Sequence, residues 1–225
     1  MIAVIDYGAG NVGSVVNALV HLGVHHLVTD DPATILAADG VIFPGVGATA
    51  DSMAQLRARG LVEVIHQATA SGKPFFGVCV GQQVLFGTSY EGEPHPCLGV
   101  FEGDVRRFPD AELHVPHMGW NTVRVLREHP LFAGIPDETA FYFVHSYYVA
   151  PVDAALVLGG TEYGVTFPAA VARGSVMATQ FHPEKSGRWG LQVYRNFAEI
   201  VARQAAEARI TGAAQGAIAV VGQGA

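Results

Sequence analysis

Residues 77 to 83 read Gly-Val-Cys-Val-Gly-Gln-Gln and hold one of the two cysteines in a chain of 225 residues. Small residues two before and two after a central side chain suit a sharp strand-to-helix turn that presents a nucleophile. At the start of a helix, unpaired N–H groups favour the thiolate. The plain alternative for Cys79 is a small buried thiol on a tight turn. A nucleophilic sulfur needs a base, and Phe181-His182-Pro183-Glu184 offers one. Pro183 biases its predecessor to an extended form, in which residues 182 and 184 point to the same side. Glu184 can then orient the His182 imidazole and stabilise its protonated form. The alternative is a surface turn with a solvated Glu and Lys. Phe43-Pro44-Gly45-Val46-Gly47 ends an apolar run in glycines. Its free N–H groups could meet a developing oxyanion, although a simple loop turn has the same composition.

These groups have to be held by something. Residues 1–7 form an apolar run, followed by Val12, Val15, Val16, Leu19 and Val20 at helical spacing. Residues 25–29, 40–45 and 73–79 read as further strands, with helices near 51–58 and 61–71. Alternating strands and helices predict an open, largely parallel sheet flanked by helices. Beyond residue 98, short extended pieces around 99–108, 121–126, 140–149 and 154–164 predict an added antiparallel region. A last amphipathic helix carries Val193, Tyr194, Phe197, Ile200 and Val201 on one stripe. The reading is one domain over 1–203, then a helical extension and a mobile tail over 204–225.

Composition narrows the class. Half the residues are hydrophobic and the net charge is −7, against a general nucleic-acid binder. No apolar run reaches eighteen residues and the N-terminus has no basic leader, so we expect a cytoplasmic protein with no membrane segment. Two cysteines make no disulfide framework. Gly8-Ala-Gly-Asn-Val-Gly13 matches the dinucleotide fingerprint, with Asp30 and Asp31 about twenty residues on. A crowded strand-to-helix turn explains the same glycines. A nucleotide there leaves the Cys, His and Glu unexplained.

Taken together, Gly-x-Cys-x-Gly-x-Gln, the later Phe-His-Pro-Glu and the earlier Pro-Gly-x-Gly resemble the class I (triad) glutamine amidotransferases. Within that family, Asp6–Asn11, Pro44–Ala48, Val115–Asn121, Phe141–Val149 and Gln180–Gly187 resemble the glutaminase subunits of imidazole glycerol phosphate synthases. The resemblance covers residues 1 to about 203 and implies a flavodoxin-like fold. It implies glutamine hydrolysis through a thioester on Cys79, with His182 moving the proton and Glu184 holding His182. It also implies an oxyanion site at Gly45, Val46 and Gly47, and glutamine held by Gln83, His145, Ser146 and Tyr147. No metal or cofactor is implied. The implied partner is a (β/α)8-barrel cyclase subunit that receives the ammonia. Asn11, Pro116, His117, Met118, Trp120, Asn121, Tyr142 and Lys185 would lie at that interface. Val80, Gln82 and Thr49 depart from the family pattern, as does Gly13.

Overall fold

The computed structural model describes residues 1–109 and 113–221, with side chains as far as residue 211. The first half alternates strand and helix: β1 (Ile2–Ile5), α1 (Val12–His21), β2 (His26–Thr29), α2 (Pro32–Ala37), β3 (Gly40–Gly45), α3 (Thr49–Ala58), α4 (Leu61–Ala70) and β4 (Phe75–Cys79). A single turn, α5 (Val80–Gln83), follows β4 directly. Then come β5 (Thr88–Ser89), β6 (His95–Pro96), β7 (Gly103–Arg107), β8 (His117–Val125), β9 (Thr139–His145), β10 (Tyr147–Pro151), β11 (Val157–Tyr163), β12 (Val165–Arg173), β13 (Val176–Thr179) and the long α6 (Gly187–Val221).

Nine strands form one sheet in the order β2-β1-β3-β4-β13-β12-β11-β8-β9. The first five run parallel, and β12, β11, β8 and β9 continue it antiparallel. A small second sheet orders β10-β7-β5-β6. The expected mixed sheet with an antiparallel addition is therefore present. Every residue of β1, β3, β4 and β13 is buried, because helices cover both faces of parallel strands. Helix α4 buries Leu61, Val64, Ile65 and Ala68, a spacing that keeps one face on the sheet. Val193, Tyr194, Phe197 and Val201 of α6 are buried as the periodicity required, and α6 itself runs on to Val221.

Helix α2 has no counterpart in the sequence reading, although its start signal is present. Pro32 occupies the first turn, and the Asp31 carboxylate accepts the Thr34 N–H at 2.8 Å. The topology matters for the site. Strand β4 lies between β3 and β13, and Gly45 pairs with Cys79 at the C-terminal edge. Three of the sequence segments singled out for chemistry therefore end side by side.

Candidate active site

At the end of β4 the backbone of Cys79 adopts φ 55° and ψ −109°, a conformation an L residue rarely accepts. The flanking glycines follow from crowding. A Cβ on Gly81 would stand 2.3 Å from the Phe43 carbonyl oxygen, and one on Gly77 would stand 2.8 Å from the Gly81 oxygen. A Cβ on Gly45 would lie 2.6 Å from the Gly81 nitrogen. Backbone meets backbone at all three places, so no side-chain movement relieves the overlap. Helix α5 is one turn of four residues, too short for a substantial macrodipole at Cys79. The charge partner of the sulfur is instead His182.

His182 follows β13 with its side chain 1 % exposed. Its neighbours Pro183–Lys185 form a 3-10 turn, where the sequence reading expected an extended segment. Proline fits the first position of that turn, and the Ser186 hydroxyl closes it by donating to the His182 carbonyl at 2.6 Å. The two side chains still meet, with His182 Nδ1 2.8 Å from Glu184 Oε1. Asn11 Nδ2 donates to the same oxygen at 3.2 Å, and the buried Tyr194 hydroxyl donates to Oε2 at 3.3 Å. Burial pushes Glu184 towards the neutral form, but the bonds from His182 and Asn11 hold its carboxyl below the usual range. Burial likewise opposes a charge on His182, yet Cys79 and Glu184 outweigh it and raise the imidazole to about 10. Among the described residues no nitrogen or oxygen bonds the buried Nε2 of His182, which leaves it to the Cys79 sulfur and the cavity. Gln180 Nε2 approaches Cys79 Sγ at 3.7 Å.

A cavity of about 530 Å³ opens over these groups, lined by Cys79, His182, Val46, Gly47, Gln83 and the 144–147 stretch. Gly47 sits at φ +87°, a backbone position that favours glycine even though space around it is open. Gln83 Nε2 donates to the Tyr147 carbonyl at 2.8 Å and to Gln180 Oε1 at 3.1 Å. His145 Nδ1 donates to the same carbonyl at 2.7 Å. That leaves His145 Nε2 to accept from His117 Nδ1 at 3.1 Å, and His117 Nε2 to accept from Asn121 at 3.2 Å. Burial pushes His117 down to about 4 and His145 to about 3, so both rings are neutral, as this one-way relay requires.

Met118 and Trp120 are 63 % and 59 % exposed, and Pro116 and Lys185 are exposed at the cavity mouth. Trp120 meets Tyr142 edge-on at 6.2 Å, and Lys185 Nζ stands 5.9 Å from the Tyr142 ring centroid. His117 departs from the expected surface. It is buried, stacked on Phe143 and Tyr163, because alternation along β8 turns it inward while Met118 and Trp120 turn outward. Asn11 is partly buried, with its amide on Glu184. Gly10 lies against Pro44, where a Cβ would be 3.2 Å from the carbonyl oxygen. The glycine-rich turn is thus packed on the protein's own β3 edge.

Sequence reasoning passed over Glu91, Gln180 and Tyr194. Gln180 had a signal, since it stands two residues before His182. Tyr194 read as core, and its hydroxyl is invisible to a hydrophobic stripe. Glu91, in the turn between β5 and β6, had none. It is the one carboxylate that lines the cavity among the described residues.

The sequence model for "Glutamine amidotransferase class-I" matches residues 3–201. A "glutamine amidotransferase" crystal structure superposes with a TM-score of 0.70 at 21 % identity, covering 90 % of this chain and 100 % of that one. PurLQS from Thermotoga maritima gives 0.69 at 19 %, covering 88 % and 97 %, so both show the fold. The chain belongs to the class I glutamine amidotransferases. Within that family it is 53 % identical over 200 residues to "Imidazole glycerol phosphate synthase subunit HisH" of Moorella thermoacetica (strain ATCC 39073 / JCM 9320), covering 89 % of this chain and 95 % of the relative. The same subunit of Dechloromonas aromatica (strain RCB) is 54 % identical over 208 residues, covering 88 % and 95 %. That of Dehalococcoides mccartyi (strain CBDB1) is 51 % identical over 197 residues, covering 88 % and 96 %. The chain groups with these subunits.

Proposed function

We propose that this chain is the glutaminase subunit of an imidazole glycerol phosphate synthase in histidine biosynthesis, and that Cys79, His182 and Glu184 are its catalytic residues. The observation that carries the residue assignment is the strained Cys79 elbow beside a His182 kept protonated by Cys79 and Glu184. The Cys79 sulfur attacks the side-chain amide carbon of glutamine. Charge develops on the amide oxygen, and N–H groups of the Gly45–Gly47 peptide receive it. His182 gives its Nε2 proton to the leaving nitrogen, ammonia departs, and a glutamyl thioester remains. His182, now neutral, takes a proton from water, the hydroxide adds to the thioester carbon, the C–S bond breaks to release glutamate, and the Cys79 sulfur stands again beside a protonated His182.

Gln83, His145, Ser146 and Tyr147 frame the amino-acid end of the substrate. The Glu91 carboxylate suits its α-ammonium by charge. The ammonia passes to a cyclase subunit docked on the surface next to the cavity mouth formed by the exposed Met118, Trp120 and Lys185 and the half-buried Tyr142. We place the enzyme in the cytoplasm, where its two unpaired thiols stay reduced.

The test is glutamate release by the chain alone and with the cyclase subunit carrying its nucleotide ligand. Release that rises strongly in the full mixture is expected. Equal release in both would remove the synthase assignment and keep the glutaminase.

A further inference from the structure

Helix α3 begins beside the cavity with Ala48 at its cap position, which has no side chain able to take the first N–H groups. The Thr49 N–H is taken instead by Glu91 Oε2, 2.7 Å away across the structure. The Thr49 hydroxyl, fully buried, lies 2.9 Å from that same oxygen, 2.7 Å from Ser89 Oγ and 3.1 Å from His95 Nε2. His95 Nδ1 donates to the Glu93 carbonyl at 2.9 Å, so its neutral ring offers Nε2 to Thr49 only as an acceptor. The Glu91 carboxylate also only accepts, and with the single Thr49 proton on that bond, Ser89 gives its own proton to Thr49. Ser89 Oγ in turn accepts the Glu91 N–H at 3.2 Å. The ring closes on itself: Glu91 backbone to Ser89, Ser89 to Thr49, Thr49 to the Glu91 carboxylate.

We propose that Thr49 is a positioning residue that, with Ser89, pins Glu91 by backbone and carboxylate together and so sets the affinity for glutamine. The proposal rests on the reading of Glu91 as the acceptor of the α-ammonium. The ring occupies Oε2 and leaves Oε1 to the ligand. A buried hydroxyl with three polar neighbours is more than a cap on α3 needs, because the capping bond to Glu91 is made by the Thr49 N–H and not by the hydroxyl. Since Glu91 touches the amino-acid end and not the reacting amide, its misplacement weakens binding and spares the chemical step.

The experiment measures KM and kcat for glutamate release by the full chain in complex with the cyclase subunit. In Thr49→Val, KM rises about tenfold, as for a lost charge-assisted hydrogen bond, while kcat stays within about twofold. Thr49→Ser keeps the hydroxyl and restores KM to within about twofold of the parent. In a Glu91→Gln background, Thr49→Val adds nothing, because the two residues act on one contact. An unchanged KM in Thr49→Val, even with a lowered melting temperature, overturns the proposal and leaves a helix cap. So does an equal KM increase with Glu91 already replaced. If Thr49→Val does not fold, Ser89→Ala opens the same ring from the other side, and an unchanged KM there overturns it equally. A parent complex that releases no glutamate contradicts the glutaminase reading itself, a different failure.

Discussion

In the proposed mechanism His182 carries two tasks that need different protonation states: it gives a proton to the leaving amide nitrogen and takes one from water. Its imidazole sits at about 10 against an ordinary 6.5 because the Cys79 sulfur and the Glu184 carboxylate outweigh burial. A folded-state value above the ordinary one stabilises the fold fully below the ordinary value. That contribution is lost as pH rises from there through about 10. The same titration removes the acid for the leaving group, so glutaminase activity falls on the alkaline side near that value. Glu184→Gln deletes the negative partner. The alkaline limb of kcat/KM then moves to lower pH, and kcat drops by about 100-fold or more. A pH profile of the variant with its limb unmoved would show that Glu184 does not act on His182.

The elements that hold these groups were legible in the sequence to different degrees. Buried parallel strands announce themselves as short apolar runs, so β3 and β4 fall where the pattern placed them. Helix α2 was missed because a six-residue helix with one buried side chain leaves almost no periodicity, and its Asp-Pro start was the sole sign. Cys79, His182 and Glu184 were legible from residue types and spacing, whereas Glu91 and the ring behind it depend on tertiary placement that no local pattern records. The glycines divide in a way a sequence cannot reveal. Gly81→Ala forces a Cβ onto the Phe43 carbonyl and destabilises by about 2–3 kcal/mol, with loss of activity. Gly13→Ala, in α1 with open space around its Cβ, stabilises by about 0.5 kcal/mol. Denaturant melts of both variants decide this, and similar shifts of one sign would contradict the crowding account.

At the scale of the whole molecule, alternation along β8 divides one strand between two duties. Its inward His117 supports the relay to Tyr147, and its outward Met118 and Trp120 form an apolar face beside the cavity mouth. None of the helices among the described residues is long and apolar enough to cross a membrane. If the cyclase subunit docks on this face as proposed, Trp120→Ala weakens its binding by about 2 kcal/mol or more, as aromatic anchors at interface centres do. Calorimetry showing unchanged affinity would move the interface elsewhere. Whether Cys79 makes ammonia for a second active site is decided by synthesis in the assembled complex with Cys79→Ala, supplied with glutamine or with ammonium salt. No product from glutamine and undiminished product from ammonium are expected. Product from glutamine at the parent rate would contradict that role of Cys79.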